Sequence, residues 1–107
     1  MKTETAEKLV IDIGLACDIG LHESIVLTQL DKWLKETPYA KEGRRWVYKS
    51  LRAMQLEAFP FWDQTTIFRA LNSLIADGYV IAKSFNGSRT KWLTIDYNNI
   101  NLYEEGA

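Results

Sequence analysis

Gln64, Thr65, Thr66, Arg69 and Asn72 fall within one nine-residue stretch, and each carries a hydrogen-bonding side chain. An arginine grips guanine through two parallel hydrogen bonds, and Gln or Asn does the same for adenine. A threonine hydroxyl suits phosphate or base, and its methyl group meets that of thymine. The chemistry available is therefore recognition of base edges rather than bond breaking. Asp63 precedes the group and is a good helix cap, its carboxylate facing free N–H groups and the positive dipole end. Those N–H groups also attract phosphate. Asp63 opposes that attraction at close range, so it is assigned the cap and not a contact.

A second set of residues suits phosphate. Lys83, Asn86, Ser88, Arg89 and Lys91 surround "NGSR", and Arg44, Arg45, Lys49 and Arg52 lie upstream. The chain's net charge of −1 hides their concentration. Residues 44 to 91 hold eight basic and three acidic side chains, a net of +5, while the remainder carries −6. That asymmetry is the footprint of a polyanion-facing side. If six of these cations meet phosphates, affinity falls with log salt at a slope of about −5.

Other chemistries lack their parts. One His and one Cys cannot assemble a nucleophile, a base and an orienting group, so no enzyme activity is expected. His22 beside Glu23 and near Asp18 lacks a metal-ligand set and reads as a surface histidine. No cofactor is implied, since "DIG" and "NGS" are turn glycines and not a phosphate cradle. Cys17 rules out an internal disulfide and reads as a buried small hydrophobe. Trp33, Trp46, Trp62 and Trp92 invite a base-stacking role, but most are expected in the core, with Trp92 the least settled. No apolar run is long enough for a membrane and no leader opens the chain, which points to the cytoplasm.

The positioning elements follow from periodicity. The 107 residues suffice for one domain, 1–107, with tails at 1–7 and 98–107. "KLVI" (8–11) reads as a short strand or lead-in, and 12–20 as a short helix closed by Gly20. Residues 22–37 form an amphipathic helix with Val26, Leu30, Trp33 and Leu34 on one side, stopped by Pro38. A loop over 37–43 leads to a strand, "RRWVYKS" (44–50), whose alternation sets Trp46 and Tyr48 against Val47 and Lys49. Ser50 caps a two-turn helix that Pro60 ends. Phe59, Phe61 and Trp62 make an aromatic corner that fills the wedge before the next helix. That helix spans about 64–77, holds Ile67, Leu71, Leu74 and Ile75 as one stripe, and stops at Gly78. Runs 79–85 and 90–97 form a hairpin about Asn-Gly.

This order predicts an α+β, mostly helical chain: a winged helix-turn-helix with a small antiparallel sheet of three strands, the wing hairpin included. The helix at 64–77 would lie in the major groove of double-stranded DNA, and the hairpin on the backbone.

At "GRRWVYKSLRAMQLEAFPFWDQTTIFRALNSLIADGYV" and "GSRTKWLTIDY", the chain resembles a known group. It is similar to the winged-helix domain at the N-terminus of phage and plasmid replication proteins of Gram-positive bacteria, including DnaD-like and RepA-like initiators. The likeness covers roughly residues 9 to 97 and includes "IGLHESIVLTQLDKWL". It implies an origin-binding or sequence-recognition role, with 64–77 as reader and 79–95 as wing. It also implies self-association, usually a homodimer through the N-terminal helices, and replication proteins as partners. His22 departs from the small polar cap usual in the group, and Arg69 is the lone basic residue of its helix. No second domain follows, so the chain is expected to be a fragment or a stand-alone regulator. Two other functions stay open: a winged-helix module for protein contacts in a replisome or transcription complex, and a ligand-responsive repressor with Trp33 and Cys17 lining its pocket.

Overall fold

The structure is a computed structural model, and it describes residues 10–100. Four helices and two antiparallel two-stranded sheets make an α+β chain in the order α1 (Ile13–Ile19), α2 (Leu21–Glu36), β1 (Ala40–Lys41), β2 (Arg44–Arg45), α3 (Leu51–Glu57), α4 (Gln64–Ala76), β3 (Val80–Lys83) and β4 (Trp92–Ile95). Residues 8–9 of the expected lead-in and 101–107 of the tail lie outside the described residues, and Val10 and Ile11 carry no regular structure.

Local chemistry sets most boundaries. Asp12 caps α1 by accepting the Leu15 N–H at 3.0 Å, and Ser50 caps α3 by accepting that of Ala53 at 3.0 Å. Thr37 is extended at ψ 142, as a residue before proline must be, and α2 ends there. Gly78 takes φ 84 after α4; its N–H reaches the Ile75 carbonyl at 3.1 Å and that of Tyr79 reaches Leu74 at 3.0 Å. This paired closure satisfies the last carbonyls and requires a left-handed residue, which glycine adopts without strain.

Packing holds the elements in place. Leu27 and Leu30 of α2, Met54 of α3, Ile67 and Leu74 of α4, and Val80, Leu93 and Ile95 of the hairpin share one buried core. The α4 sequence includes two threonines, Phe68 and Asn72, which are middling helix formers, and 13 residues is near the length at which isolated helices fail. Burial of Ile67 and Leu74 contributes about 1.5–3 kcal/mol each, so tertiary packing rather than propensity keeps α4 helical. Ala70 completes its buried stripe and Ile75 is half-buried.

Four expectations change. The run 44–50 is not one strand: Arg44–Arg45 pair with Ala40–Lys41 across Glu42 and Gly43, both at positive φ, and Val47 makes a lone bridge to Leu93. The three-stranded sheet is therefore two two-stranded sheets tied by that bridge, and the loop 37–43 contains β1. Trp46 and Val47 are both buried, so the alternation breaks. Trp46 leaves the strand pattern because its indole N–H donates to the Lys41 carbonyl at 2.8 Å and its ring meets Phe85. Cys17 is exposed rather than buried, because Leu15 and Ile19 set the inward face of α1 and position 17 lies between them. Of the corner aromatics, Phe59 is fully buried and Trp62 half-buried, but Phe61 is 56% exposed. No helix among the described residues is long and apolar enough to cross a membrane.

Candidate nucleic-acid interface

The inward stripe of α4 dictates what faces out. With Ile67, Ala70, Leu71 and Leu74 buried, Gln64, Thr65, Phe68, Arg69 and Asn72 are exposed. Thr66 is half-buried and belongs to the cap: Asp63 accepts its N–H at 2.8 Å. Hydrogen bonds from the Thr66 side chain and backbone, and more weakly the Arg69 charge, hold the Asp63 carboxyl below its ordinary value. A depressed carboxyl stabilises the fold at any pH above 3.8, its ordinary value, and that contribution fades as pH falls through the lowered one. Gln64 leans toward α3, its Nε2 lying 3.4 Å from Oε1 of Gln55.

Asp63→Asn separates cap from charge. Asn keeps the cap hydrogen bond but not the charge, so neutral-pH stability is expected to fall slightly and its further loss below pH 3.8 to soften. Thermal melts across that range check this.

The hairpin closes one side of a cleft of 680 Å³ against α3 and α4. Phe68 and Asn72 line it from α4, Leu51 and Met54 from α3, and Ala82 and Leu93 from the hairpin. Arg89, Lys91 and Lys49 supply its charges, and no acidic residue lines it. Of the expected site residues, the cleft thus brings Asn72, Arg89, Lys91 and Lys49 together, while Arg69 is exposed on α4 and is not part of its lining. Tyr48 and Thr90 also line it and were not singled out from the sequence.

Other expected contacts lie elsewhere or are occupied. Arg44 and Arg45 line a separate cleft of 580 Å³ with Asp31 and Asp96, and Arg45 donates to the Lys35 carbonyl at 3.0 Å, at the end of α2. Lys49 pairs with Glu57 at 2.7 Å, and Lys83 with Glu42 at 2.7 Å. Asn86 and Ser88 shape the hairpin tip. Asn86 at φ 58 and Gly87 at φ 73 form the tight turn that Asn-Gly favours, closed by the Ser88 N–H to the Phe85 carbonyl at 3.0 Å. The ladder itself stops at Lys83 and Trp92, so this turn caps a longer loop. Arg52, Arg69, Arg89 and Lys91 remain exposed, and none makes an ion pair among the described residues.

His22 is exposed and stacks on Trp62 at 4.9 Å. Among the described residues, no group of three His, Cys, Asp or Glu side chains is placed to hold a metal ion. Trp33 lines a cleft with Tyr48 and Trp92, and Cys17 is not part of it. The chain matches no family model, no curated protein and no solved structure.

Proposed function

We propose that the chain is a winged helix-turn-helix protein that binds double-stranded DNA, as a replication initiator or transcription regulator of the phage and plasmid type. In this reading α3 and α4 are the helix pair, α4 enters the major groove, and the β3–β4 hairpin is the wing. The observation that carries it is the outward face of α4 itself. Thr65, Arg69 and Asn72 stand in solvent on a helix anchored by its opposite side, and Asn72 shares a cleft free of acids with Arg89 and Lys91. Base contacts would come from Arg69, Thr65 and Asn72. Arg52, Arg89 and Lys91 would hold phosphate.

The electrostatic share is smaller than the sequence suggests. Lys49 and Lys83 already have acidic partners, and Arg44 and Arg45 belong to another cleft. Three cations, Arg52, Arg89 and Lys91, remain for phosphate, which gives a salt slope of about −3 rather than −5. Arg89→Ala is expected to weaken all duplex sequences alike and to flatten that slope by about one. Equilibrium binding across a salt series checks it; an unaltered slope removes the hairpin loop from the interface.

Self-association through the N-terminal helices is part of the proposal. Val10, Ile11, Ile13 and Leu21 are exposed apolar side chains at that end, suited to a second copy.

A second reading, a protein-interaction module without direct DNA binding, is favoured by one feature. Phe68 is 50% exposed in the middle of the outward face, where apolar surface suits a protein better than a phosphate backbone. Retention of duplex by the wild type and its loss in Arg69→Ala decide for DNA.

A further inference from the structure

We propose that the Trp92 end of the outer face of the β3–β4 hairpin is a stacking platform for single-stranded nucleic acid, adjoining the α4 cleft at Tyr48 and Lys49. The pairing register creates this side. Val80 opposes Ile95 and Ala82 opposes Leu93, and these turn toward the helices. Lys83 opposes Trp92 on the reverse face, where the neighbouring Thr94 is buried, so only the Trp92 end of that face is open. Trp92 is half-buried there because aromatic rings flank it: Tyr39 at 5.1 Å and Tyr48 at 6.1 Å between centroids. Tyr39 is 59% exposed and Tyr48 is 51% exposed. A row of Tyr48, Trp92 and Tyr39 thus offers ring surface to solvent that the core does not use.

The row continues at both ends. Tyr39 and Trp92 line a cleft of 330 Å³ with Trp46 and Phe85. Tyr48 and Trp92 line one of 310 Å³ with Trp33. Tyr48 and Lys49 also line the α4 cleft, so the band begins where that cleft ends.

Lysines accompany the rings. Lys41 sits 5.1 Å and Lys83 sits 5.4 Å from the Phe85 centroid, and Lys49 sits 4.9 Å from that of Trp33. Glu42 and Glu57 are each held by one of them, at 2.7 Å. Lys41, and Lys91 next to Trp92, make no ion pair among the described residues. Exposed rings interleaved with cations are what unpaired strands need: bases stack on the rings, and phosphates follow the charges. A proline-rich peptide also fits an aromatic groove, but it has no use for the lysines.

The test is tryptophan fluorescence of the intact chain, titrated at low salt with oligothymidylate or oligouridylate of about 12 nucleotides. Saturable quenching is expected, weakening with log salt at a slope of about −1.5 if Lys41 and Lys91, the two of these lysines without acidic partners among the described residues, meet phosphates. The stronger oligonucleotide says whether the strand is DNA or RNA. Tyr39→Ala leaves the backbone bonds of Tyr39 in place, so its melting temperature and duplex binding should match wild type. Its single-strand affinity should fall about fivefold or more. Arg69→Ala should do the reverse. Absence of quenching by either oligonucleotide, wild-type affinity in Tyr39→Ala, or quenching by oligoproline in place of them overturns the proposal. Loss of duplex binding alone does not, because the two faces are tested by different variants.

Discussion

Phe59→Ala removes the centre of the aromatic corner and is expected to lower stability by about 3–5 kcal/mol. Phe59 is fully buried, and its ring meets those of Trp33 at 6.2 Å, Phe61 at 6.4 Å and Trp62 at 5.4 Å. Its N–H also closes α3, bonding the Met54 carbonyl at 3.0 Å. The side chain thus joins α2 to the turn that sets α3 against α4. Pro60 stiffens that turn, and Gln55 donates to the Trp62 carbonyl across it at 2.9 Å, so the site cannot collapse easily around a cavity. Domains of this size hold only about 5–15 kcal/mol in total. The variant should therefore melt about 12 °C or more below wild type by circular dichroism. A drop of only a degree or two would mean that the corner does not set the crossing of the two helices.

Arg69→Ala carries the second large effect, on binding. Loss of a bidentate base contact costs about 1–3 kcal/mol of duplex affinity and relaxes preference at one base pair. Arg69 is exposed, with Ala70 and Leu71 beside it buried, so truncation should leave folding intact. Arg69 is also the lone cation among the residues of α4, which lies between Asp63 and Asp77. No neighbour on the helix can take over its charge, and its loss should be felt in full. Gel-shift titrations of wild type and variant check this, and equal affinities would take Arg69 out of the interface.

The difference between what the sequence reveals and what it hides follows from range. Asp63, Ser50, Pro38 and Gly78 act through bonds a few residues away, so their residue types suffice to place helix ends. The stripe of α4 was legible because one helical period buries it. Trp46 and Val47 obey no period, since they cross between two hairpins: Trp46 folds its indole back on Lys41 five residues before it, and Val47 answers to Leu93, a partner far along the chain. Glu42 adopts φ 58 without the Asn that usually announces it, so the first hairpin was hidden. The short α1 gave too few turns to show on which side Cys17 falls. For the candidate site, exposure of Thr65, Arg69 and Asn72 follows from the helix face, whereas the fates of the lysines do not. Lys83 meets Glu42 and Lys49 meets Glu57 only once the hairpins and α3 are packed. Arg44 and Arg45 are near the other cations in sequence, but both line the cleft beside Asp31 and Asp96, and Arg45 bonds the end of α2.

Selection of bound duplexes from a random pool, repeated over a salt series, tests most directly whether α4 and the hairpin loop grip DNA. A shared sequence motif should emerge, with wild-type affinity falling against log salt at a slope of about −3 and the motif blurred at one base pair in Arg69→Ala. Failure to retain any duplex even at the lowest salt would contradict it.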